Sequence, residues 1–486
     1  MPDRQLTVIV LAAGEGTRMR SRSLPKVLHG FAGRSLLEHV LAATAPLGAG
    51  HTVVVVGHRR DEVTAHLAEI APHAQPVVQA EQHGTGHATR LALAEIPADG
   101  GVVLVVPGDA PLLTAPTLAA LIEEHAATGA AATLLTSVVP DATGYGRVLR
   151  GADGAVARVV EHKDASPDEL AVTEIATSVY AFDEALLRGA VTRLSTDNAQ
   201  GEEYLPDVVG ILAADGHRIS ALAAPAEQTA GVNDRVQLAA AHRTYNQRLL
   251  TEHMLAGVRV VDPATTWVDA GVELAPDVTL HPGVQLHGTT RVGEGAEIGP
   301  DTTLTDTQVG AGSRLTRTVA VEAVVGARVT VGPFAYLRPG TVLADEVHIG
   351  TYVELKKADI GTGTKVPHLS YVGDATIGEQ TNIGAATVFV NYDGVAKHHT
   401  TIGSYARTGA DNMFVAPVTV GDGAYTAAGS TITQDVPPGS MAVGRAPQRN
   451  VENWVARKRA GTPAADAAAR ALQPQTPAAD EPKGDA

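Results

Sequence analysis

The sequence predicts an α/β protein in which a Rossmann-like, mostly parallel sheet domain precedes a parallel β-helix. Aliphatic runs alternate with helical patterns as far as about residue 235, one continuous helical pattern follows, and a six-residue period then dominates. Strands that alternate with helices form parallel sheets that are covered on both faces. Six-residue repeats are typical of a β-helix, in which the periodic side chain points inward.

Composition limits the classes of function. The chain has 486 residues, which is more than one hydrophobic core accommodates. Its net charge of −16 argues against nucleic acid or an anionic membrane surface as a partner, so any anion site must be a local basic patch. The absence of cysteine excludes disulfides and thiolate chemistry. No apolar run approaches the roughly 20 residues of a membrane helix. We therefore expect a cytoplasmic protein without membrane insertion.

Four aliphatic runs in the first half are interpreted as buried strands, at residues 6–11, 52–56, 102–106 and 133–139. Helical patterns separate them, so the strands should lie parallel in one sheet. In open parallel sheets, ligands bind beyond the carboxyl ends of the strands. The segment LAAGEGTRMRSRSLPKVL, residues 11–28, lies at such an end.

This segment joins a glycine-rich turn to several basic side chains. It lacks both the Gly-Lys-Ser/Thr of a Walker A loop and the third glycine of a dinucleotide-binding fingerprint. Spacing alone leaves two interpretations: a strand–helix turn with solvated basic residues, or a loop whose backbone N–H groups, Arg18 and Lys26 hold phosphate oxygens. The order Gly-x-Gly-Thr-Arg and then Leu-Pro-Lys favours the phosphate site.

The rest of the chain divides into three further parts. Residues 236–256 form one helical pattern, with Asp234 placed to cap its start and Gly257 to end it. We therefore predict a first domain at 1–235, a helical linker at 236–256, a β-helix at 257–460 and a disordered Ala/Pro/Asp-rich tail at 461–486.

The six-residue period slips after residue 304, resumes at residue 325, and breaks at residues 384–401, which should loop out of the prism. The periodic residues are Val268, Leu274, Leu280, Leu286, Val292, Ile298, Leu304, Val325, Val331, Leu337, Leu343, Ile349, Leu355, Ile402, Thr408, Phe414, Val420, Thr426 and Ile432.

The first half resembles the sugar-1-phosphate nucleotidyltransferases, whose signature is Leu-Ala-Ala-Gly-x-Gly-Thr-Arg followed by Pro-Lys. The resemblance implies in-line attack of a sugar phosphate on the α-phosphorus of a nucleoside triphosphate, which requires positioning and charge neutralisation rather than a covalent nucleophile. Arg18 and Lys26 would be catalytic, and Asp109 with Asn233 would bind Mg²⁺.

Further motifs in the same order support this resemblance: QAEQHGTGHA at 79–88, VVPGDAPLL at 105–113, GYGRV at 144–148, VVEHKDA at 159–165 and GVND at 231–234. The resemblance to this family implies that the first of these motifs binds the uracil base, and that GYGRV and VVEHKDA bind the sugar. The implied substrate-binding residues of this half are Leu11, Ala12, Ala13, Gly14, Lys26, Gln79, Gly84, Thr85, Pro107, Gly108, Asp109, Gly146, Glu161, Ala176 and Asn233.

Polar side chains crowd into about three coils of the second half. They are Arg338, Lys356, His368, Tyr371, Asn382, Asn391, Tyr392 and Lys397. A lone histidine is more often a surface residue, and hexapeptide prisms also serve as inert oligomerisation modules. A packed prism does not need this many polar side chains, however, so the cluster favours a catalytic function.

This segment resembles the acetyltransferase half of the bifunctional N-acetylglucosamine-1-phosphate uridyltransferase/glucosamine-1-phosphate N-acetyltransferase family, so the resemblance covers the chain except its tail. It implies a left-handed β-helix, which is an exception to the right-handed crossover rule, and a homotrimer with acetyl sites shared between prisms. His368 would take a proton from the sugar amine as the amine attacks acetyl-CoA, and Glu354 would orient His368. The implied sugar-phosphate contacts are Arg338, Lys356, Tyr371 and Asn382, and the implied acetyl-CoA contacts are Ala385, Asn391, Tyr392, Ala410, Ala428 and Arg445.

The implied substrates are glucosamine-1-phosphate, N-acetylglucosamine-1-phosphate, UTP and acetyl-CoA. Acetyl transfer to glucosamine-1-phosphate would precede Mg²⁺-dependent uridylyl transfer, and the product would supply peptidoglycan and other cell-envelope polysaccharides. Two alternatives stay open: a uridyltransferase on an inert trimeric scaffold, and a non-catalytic sugar-nucleotide sensor with degenerate sites.

Two short stretches depart from the family pattern. The pattern Glu-Ile-Asn-x-Gly is here EIATS at 174–178, so Ala176 replaces an asparagine that binds the sugar, and Ser178 replaces a glycine. The family's Gly-Ser-Asp near acetyl-CoA is here GAD at 409–411, so Ala410 replaces a serine hydroxyl. We expect Ala176 to weaken sugar-phosphate binding without abolishing uridylyl transfer.

Overall fold

The computed structural model describes residues 5–98 and 100–473. They form a sheet domain, a long helix and a prism of short parallel strands, in the order that the sequence predicts. Among the helices in these ranges, none combines the length and apolar character of a membrane-spanning segment.

The sheet domain contains eleven strands and eight α-helices within the described residues. The strands are β1 (Leu6–Ala12), β2 (Gly30–Phe31), β3 (Arg34–Ser35), β4 (His51–Val56), β5 (Gln75–Val78), β6 (Val102–Pro107), β7 (Ala132–Val138), β8 (Gly146–Arg150), β9 (Val156–Val160), β10 (Glu174–Asp183) and β11 (Ile219–Ala223). The helices are α1 (Leu36–Thr44), α2 (Arg60–Ile70), α3 (Thr85–Ala94), α4 (Ala115–Thr128), α5 (Pro167–Leu170), α6 (Glu184–Val191), α7 (Asp207–Ala214) and α8 (Ala226–Thr229).

The main sheet has the order β11-β7-β10-β6-β1-β4-β5, and β8 and β9 extend it from β10. Strand β10 runs antiparallel to β6 and β7, whereas β1, β4, β5 and β6 run parallel. Side chains of β1 alternate between two buried clusters, Ile9 in one and Val8 and Val10 in the other. Both faces are covered, which explains why this strand is a continuous apolar run.

A single helix, α9, spans Arg235–Leu255 and joins the domains. The Asp234 side chain caps it by accepting hydrogen bonds from the N–H groups of Val236 and Gln237 at 2.9 and 2.8 Å. The side-chain amide of buried Asn246 donates to the carbonyl of Thr266 at 2.8 Å and accepts from the N–H of Val268 at 2.9 Å. These two hydrogen bonds connect the helix to the prism.

The prism consists of short parallel strands in three columns. One column forms a seven-stranded sheet and, further along the chain, a two-stranded sheet, and the other two columns are joined in a seventeen-stranded sheet. Its strands are β12 (Arg259–Val260), β13 (Trp267–Val268), β14 (Glu273–Leu274), β15 (Thr279–Leu280), β16 (Gln285–His287), β17 (Arg291–Val292), β18 (Glu297–Ile298), β19 (Thr303–Thr305), β20 (Gln308–Val309), β21 (Arg314–Leu315), β22 (Thr318–Val321), β23 (Val324–Val325), β24 (Thr330–Val331), β25 (Ala335–Leu337), β26 (Val342–Leu343), β27 (His348–Thr351), β28 (Glu354–Ile360), β29 (Lys365–His368), β30 (Tyr371–Ile377), β31 (Val388–Val390), β32 (Thr400–Ile402), β33 (Met413–Val415), β34 (Val418–Val420), β35 (Tyr425–Thr426), β36 (Thr431–Ile432) and β37 (Met441–Ala442).

The six-residue period is confirmed as the pattern of the prism interior. Every predicted periodic residue is buried except Leu274, which is half-buried against the same core. The slip after Leu304 consists of five-residue steps at Val309, Ala320 and Val325, whose side chains still point inward. The prediction of a β-helix is therefore correct.

The predicted excursion at residues 384–401 is too long. Strand β31 keeps its place in the prism, where Phe389 is fully buried and pairs with Phe414. The chain leaves the prism only between Val390 and Thr400. The apolar inward position at Phe389 keeps the first part of the segment in the core, whereas the polar NYDGVAKHH that follows has no such residue.

The predicted disordered tail begins with a helix instead. Helix α10, Trp454–Lys458, precedes the tail in the range predicted as β-helix. Helix α11, Pro463–Ala471, lies within the predicted tail, with the Thr462 side chain capping it and proline in its first turn. Alanine has the highest helix propensity of the residues, and six alanines in this helix favour it despite the lack of a buried face. Residues 474–486 of the predicted tail lie outside the described residues.

Candidate active sites

The carboxyl edge of the first sheet forms a cleft of about 810 Å³. The predicted residues that line it are Leu11, Ala12, Ala13, Gly14, Arg18, Lys26, Gln79, Gly84, Thr85, Pro107, Asp109, Gly146, Glu161, Ala176 and Asn233. Gly108 lies behind this lining, where its N–H donates to the carbonyl of Leu11 at 2.9 Å. They meet because neighbouring parallel strands end at the same edge of a sheet.

The glycine-rich loop folds tightly against Lys26. Gly16 has a φ of +62°, and a Cβ atom there would lie 2.4 Å from the Cβ of Lys26. The close approach of the loop to Lys26 therefore requires glycine at position 16. Buried Met19 anchors the loop against Phe31 and Val232. The loop therefore holds its basic side chains at the cleft.

Lys26, Arg18, Asp109 and Asn233 meet in one cluster. The Lys26 ammonium pairs with the Asp109 carboxylate and donates to Asn233 Oδ1 at 2.9 Å, and Arg18 Nη2 donates to the same oxygen at 2.9 Å. The N–H of Val232 donates to the Asp109 carbonyl at 2.9 Å, which brings Asn233 alongside. A carboxylate and an amide oxygen thus converge on one position occupied by a cation, a donor set that suits Mg²⁺.

Gln79, Gly84 and Thr85 lie together at one end of the cleft. Gln79 follows β5, and its Nε2 donates to the Gly84 carbonyl at 3.0 Å. Thr85 begins α3, and its hydroxyl accepts from the N–H of Leu205 at 3.0 Å. A Cβ atom at Gly84 would lie 2.5 Å from the carbonyl oxygen of Glu203, so this turn has room only for glycine.

Gly146, Glu161 and Ala176 form another part of the cleft. Gly146 pairs with Ala176 between β8 and β10, and a Cβ atom at Gly146 would lie 3.4 Å from Glu161 Oε1. Burial, followed by the negative charge of Asp207, raises the pKa of Glu161. Ser178 has a φ of +62° in a region where β10 shifts register, a conformation that glycine adopts more readily.

On the prism, Lys356, Tyr371 and Asn391 meet around Asp374, a residue that the sequence analysis missed. Lys356 Nζ lies 3.1 Å from Asp374 Oδ2, and Asn391 Nδ2 donates to the same oxygen. Asn391 Nδ2 also lies 3.4 Å from the Tyr371 hydroxyl. The cluster forms because the strands carrying these residues are stacked in register.

Arg338 makes an ion pair with Glu354, with Nη1 and Oε1 2.9 Å apart. Within one chain Glu354 thus pairs with Arg338, and the expectation that Glu354 orients His368 stays a prediction. Glu354 begins β28, and Arg338 directly follows the adjacent strand β25 of the same sheet. His368 ends β29 in the other sheet, just before the corner at Leu369.

The predicted acetyl-CoA residues stack along one corner of the prism. The N–H of Asp411 donates to the Ala385 carbonyl at 2.7 Å, and the N–H of Gly429 donates to the Ala410 carbonyl at 2.9 Å. The side chain of Arg445 lies beside Gly429. The predicted residues that follow this corner are His368, Ala385, Ala410, Ala428 and Arg445.

One chain does not assemble all predicted acetyl-transfer residues. His368 is exposed on the seven-stranded sheet, and Asn382 bridges to Lys365 on the same strand as His368. The Lys356 cluster lies on the other sheet. Tyr392 is exposed in the excursion, where the Lys397 ammonium lies 4.2 Å from its ring centroid.

Comparisons with known proteins cover both halves of the chain. Residues 8–167 match the family described as the MobA-like NTP transferase domain. The chain is 63% identical to the bifunctional protein GlmU of Streptomyces avermitilis over 96% of its own length and 97% of that protein. The proteins of the same name from Streptomyces coelicolor and Nocardia farcinica are 62% and 54% identical, over 96% and 98% of this chain and 97% of each relative.

The chain belongs to the GlmU family. GlmU proteins combine acetyl transfer to glucosamine-1-phosphate with uridylyl transfer to N-acetylglucosamine-1-phosphate, so the sequence prediction of a bifunctional enzyme of UDP-N-acetylglucosamine synthesis is confirmed. The prism is accordingly a left-handed β-helix. Membership of this family favours the bifunctional enzyme over the alternatives of an inert scaffold and a non-catalytic sensor.

Other residues that line the cleft were missed from the sequence. They include Gln82, His83, Tyr145 and Glu202. Tyr145 directly precedes Gly146, so the GYGRV motif could have indicated it; burial, followed by the charge of Asp109, raises its pKa. Glu202 reaches the cleft from a loop whose sequence gives no such signal.

Proposed function

We propose that the N-terminal cleft binds UTP and N-acetylglucosamine-1-phosphate, with Arg18 and Lys26 neutralising the phosphates as the sugar phosphate oxygen attacks the α-phosphorus. The bond from that phosphorus to the β-phosphate oxygen breaks, and pyrophosphate leaves. The observation that carries this assignment is the convergence of Lys26 and Arg18 on Asp109 and Asn233 at the carboxyl edge of the sheet. Positioned positive charge is the main requirement of such a transfer.

Asp109 and Asn233 would hold Mg²⁺. One oxygen of each side chain already contacts the Lys26 ammonium, so a cation is accommodated between them. The described residues contain no group of three or more His, Cys, Asp or Glu side chains arranged for a metal, so the phosphates of the substrates would complete the coordination. When bound, the metal would neutralise charge on the transferring phosphate.

We propose that acetyl transfer takes place along the corner that begins at His368. The imidazole of His368 would accept a proton as the amine nitrogen of glucosamine-1-phosphate attacks the thioester carbonyl, and CoA leaves. Arg338 and Lys356 would bind the sugar phosphate, with Tyr371 and Asn382 on the sugar. Asn391 and Tyr392 would flank the pantetheine arm.

A homotrimer would complete this second site. Phe334, Tyr352 and Leu369 are 51%, 58% and 61% exposed, and the first two rings stack with centroids 5.3 Å apart. An exposed apolar column of this kind along a corner of the prism suits a second copy of the chain. Such an arrangement would bring the Lys356 cluster of one prism towards His368 on another. Because UTP and acetyl-CoA are both metabolites of the cell interior, we place the reactions in the cytoplasm.

The two activities should be separable. Asp109→Ala should abolish Mg²⁺-dependent pyrophosphate release from UTP while acetyl transfer persists, because Asp109 lies in the first domain and His368 on the prism. His368→Ala should abolish release of free CoA from acetyl-CoA and glucosamine-1-phosphate while pyrophosphate release persists. Both reactions are measured on the full-length protein with each substrate pair.

Mass measurement of each variant in solution provides the control for assembly. Loss of both reactions in a variant that keeps the mass of the wild type would contradict two independent sites. Retention of pyrophosphate release by Asp109→Ala would remove Asp109 from the proposed metal site.

A further inference from the structure

The Gln79 amide has a defined orientation in the cleft. Its Nε2 lies 3.0 Å from the Gly84 carbonyl and 3.1 Å from Nδ1 of His87. Gln79 is 3% exposed, yet it lines the cleft. From the residues that the structure describes, no hydrogen bond reaches Oε1 of Gln79. The side-chain carbonyl oxygen is therefore the atom of this amide left for a ligand.

The contact with His87 fixes the tautomer of that histidine. An amide nitrogen carries two hydrogens and accepts nothing, so Nδ1 of His87 must be unprotonated to accept from it. The Gly84 carbonyl takes the other hydrogen. Both hydrogens of the Gln79 amide are thus used by the protein, and rotating the amide by half a turn would place its oxygen against the Gly84 carbonyl.

We propose that His87 is a positioning residue that makes the cleft select uracil over cytosine. By accepting from Gln79, His87 holds the amide oxygen towards the base, where it accepts the N3–H of uracil. Cytosine has an unprotonated N3 at the same position, and two acceptors facing each other leave both without a hydrogen bond. This inference rests on the proposed binding of UTP and assigns a role to a side chain that does not itself touch the base.

The surroundings of His87 favour its neutral form. Burial lowers its pKa, the charges of Arg90 and His83 lower it further, and Glu203 and the backbone of Glu81 oppose them. Glu203 is also paired with Arg90, whose Nη2 lies 2.9 Å from its Oε1, so its negative charge is partly compensated. His87 therefore keeps its acceptor at neutral pH.

Two substitutions of His87 separate this role from packing. His87→Asn can place an amide oxygen near the position of Nδ1 and should keep the preference for UTP. His87→Leu has a similar volume but no acceptor, so it should lower the ratio of kcat/KM for UTP to that for CTP by about tenfold or more. Pyrophosphate release is measured with each nucleotide, N-acetylglucosamine-1-phosphate and Mg²⁺.

Gln79→Leu should lower the same ratio, and adding His87→Leu to it should cause no further loss, since His87 acts through Gln79. His73→Leu, an exposed histidine outside the cleft, is the matched control and should leave the ratio unchanged.

The outcomes distinguish this inference from the proposed function. A wild-type protein that releases no pyrophosphate from UTP would overturn the proposed function itself. A wild type that prefers UTP, with His87→Leu losing rate equally for UTP and CTP, would overturn only the role of His87. A urea-unfolding midpoint close to that of the wild type reports that the first domain of each variant is folded. Should His87→Leu fail this check, an unchanged UTP-to-CTP ratio in Gln79→Leu would refute the proposal.

Discussion

Ala176 is the residue at which the cleft departs most directly from the family pattern. It lines the cleft beside Gly146 and Glu161, and its methyl group offers no hydrogen bond to a sugar. A missing hydrogen bond of this kind costs roughly 0.5–1.5 kcal/mol, which is too little to abolish turnover. The replacement should therefore weaken binding rather than remove the reaction.

Ala176→Asn should lower the KM for N-acetylglucosamine-1-phosphate by about tenfold at most and leave the KM for UTP nearly unchanged. The expectation follows from the position of residue 176 near Glu161 and away from Gln79. Initial rates of pyrophosphate release with one substrate varied at a time provide the check. A shift confined to UTP would show that position 176 does not contact the sugar.

His39 predicts a dependence of stability on pH. It is 4% exposed and its Nε2–H donates to the carbonyl of Phe31 at 2.6 Å. Burial lowers its pKa from 6.5 to about 4, with Arg34 among the charges that add to the effect. As the pH falls from 6.5 towards about 4, the unfolded chain binds a proton that the native chain excludes. The free energy of unfolding should therefore fall, by about 3 kcal/mol at most from this residue.

Urea unfolding near neutral pH and at about pH 4.5 measures this effect. In His39→Gln, the difference between the two midpoints should be smaller than in the wild type. The exposed His73 provides the control, because His73→Gln should leave the difference unchanged. An equal pH dependence in His39→Gln and the wild type would mean that His39 does not titrate as described.

At the scale of the elements, helix α9 links the glycine-rich loop to the prism. Arg235 in its first turn donates from Nε to the carbonyl of Met19 at 3.2 Å, behind Arg18. Further along, Asn246 satisfies the carbonyl of Thr266 and the N–H of Val268. The helix thus contacts both domains through buried or part-buried hydrogen bonds.

Asn246→Leu should destabilise this junction by about 2–4 kcal/mol, because it leaves two backbone groups without partners in a buried environment. The fluorescence of Trp267, measured during urea unfolding in a Trp454→Phe background, reports the transition. Gln247→Leu is the matched control, since Gln247 is exposed one position along the same helix and should change stability by less than about 0.5 kcal/mol. Equal midpoints for the two variants would show that Asn246 does not stabilise the junction.

At the scale of the whole molecule, assembly and acetyl transfer should depend on the same surface. Tyr352→Asp places a charge in the column that Phe334 and Leu369 continue, and Tyr352 is exposed in the single chain. The variant should fold, lose the proposed trimer and lose acetyl transfer, while uridylyl transfer continues in the separate cleft. Light scattering after gel filtration measures the mass, and release of CoA and pyrophosphate measures the two reactions.

Leu255→Asp is the control for this substitution. Leu255 is 85% exposed at the end of α9, away from the column, so the charge there should leave the mass unchanged. If Tyr352→Asp kept the mass of the wild type, or lost acetyl transfer as a trimer, the column would not be the assembly surface.

The sequence by itself determined the order of the parts and most of the first cleft. The alternation of aliphatic runs with helical patterns predicts the sheet, and the six-residue period predicts the interior of the prism. The motifs at the strand ends predict the residues that line the cleft. Each of these patterns depends on residues that are close together in the chain. The parallel sheet then brings Lys26, Asp109 and Asn233 to one edge, an outcome that the βα pattern already implies.

Only the tertiary structure decided contacts between residues that no local pattern relates. On the prism, Glu354 pairs with Arg338 within one chain, and Asp374 joins the Lys356 cluster. Phe389 stays inside the prism. In the cleft, His87 contacts the side-chain amide of Gln79. Such contacts depend on which strands stack, on which side of a corner a side chain emerges, and on the rotation of a single amide. These are properties of packing in three dimensions, and the periodicity of a chain fixes its elements without fixing the partners of their polar side chains.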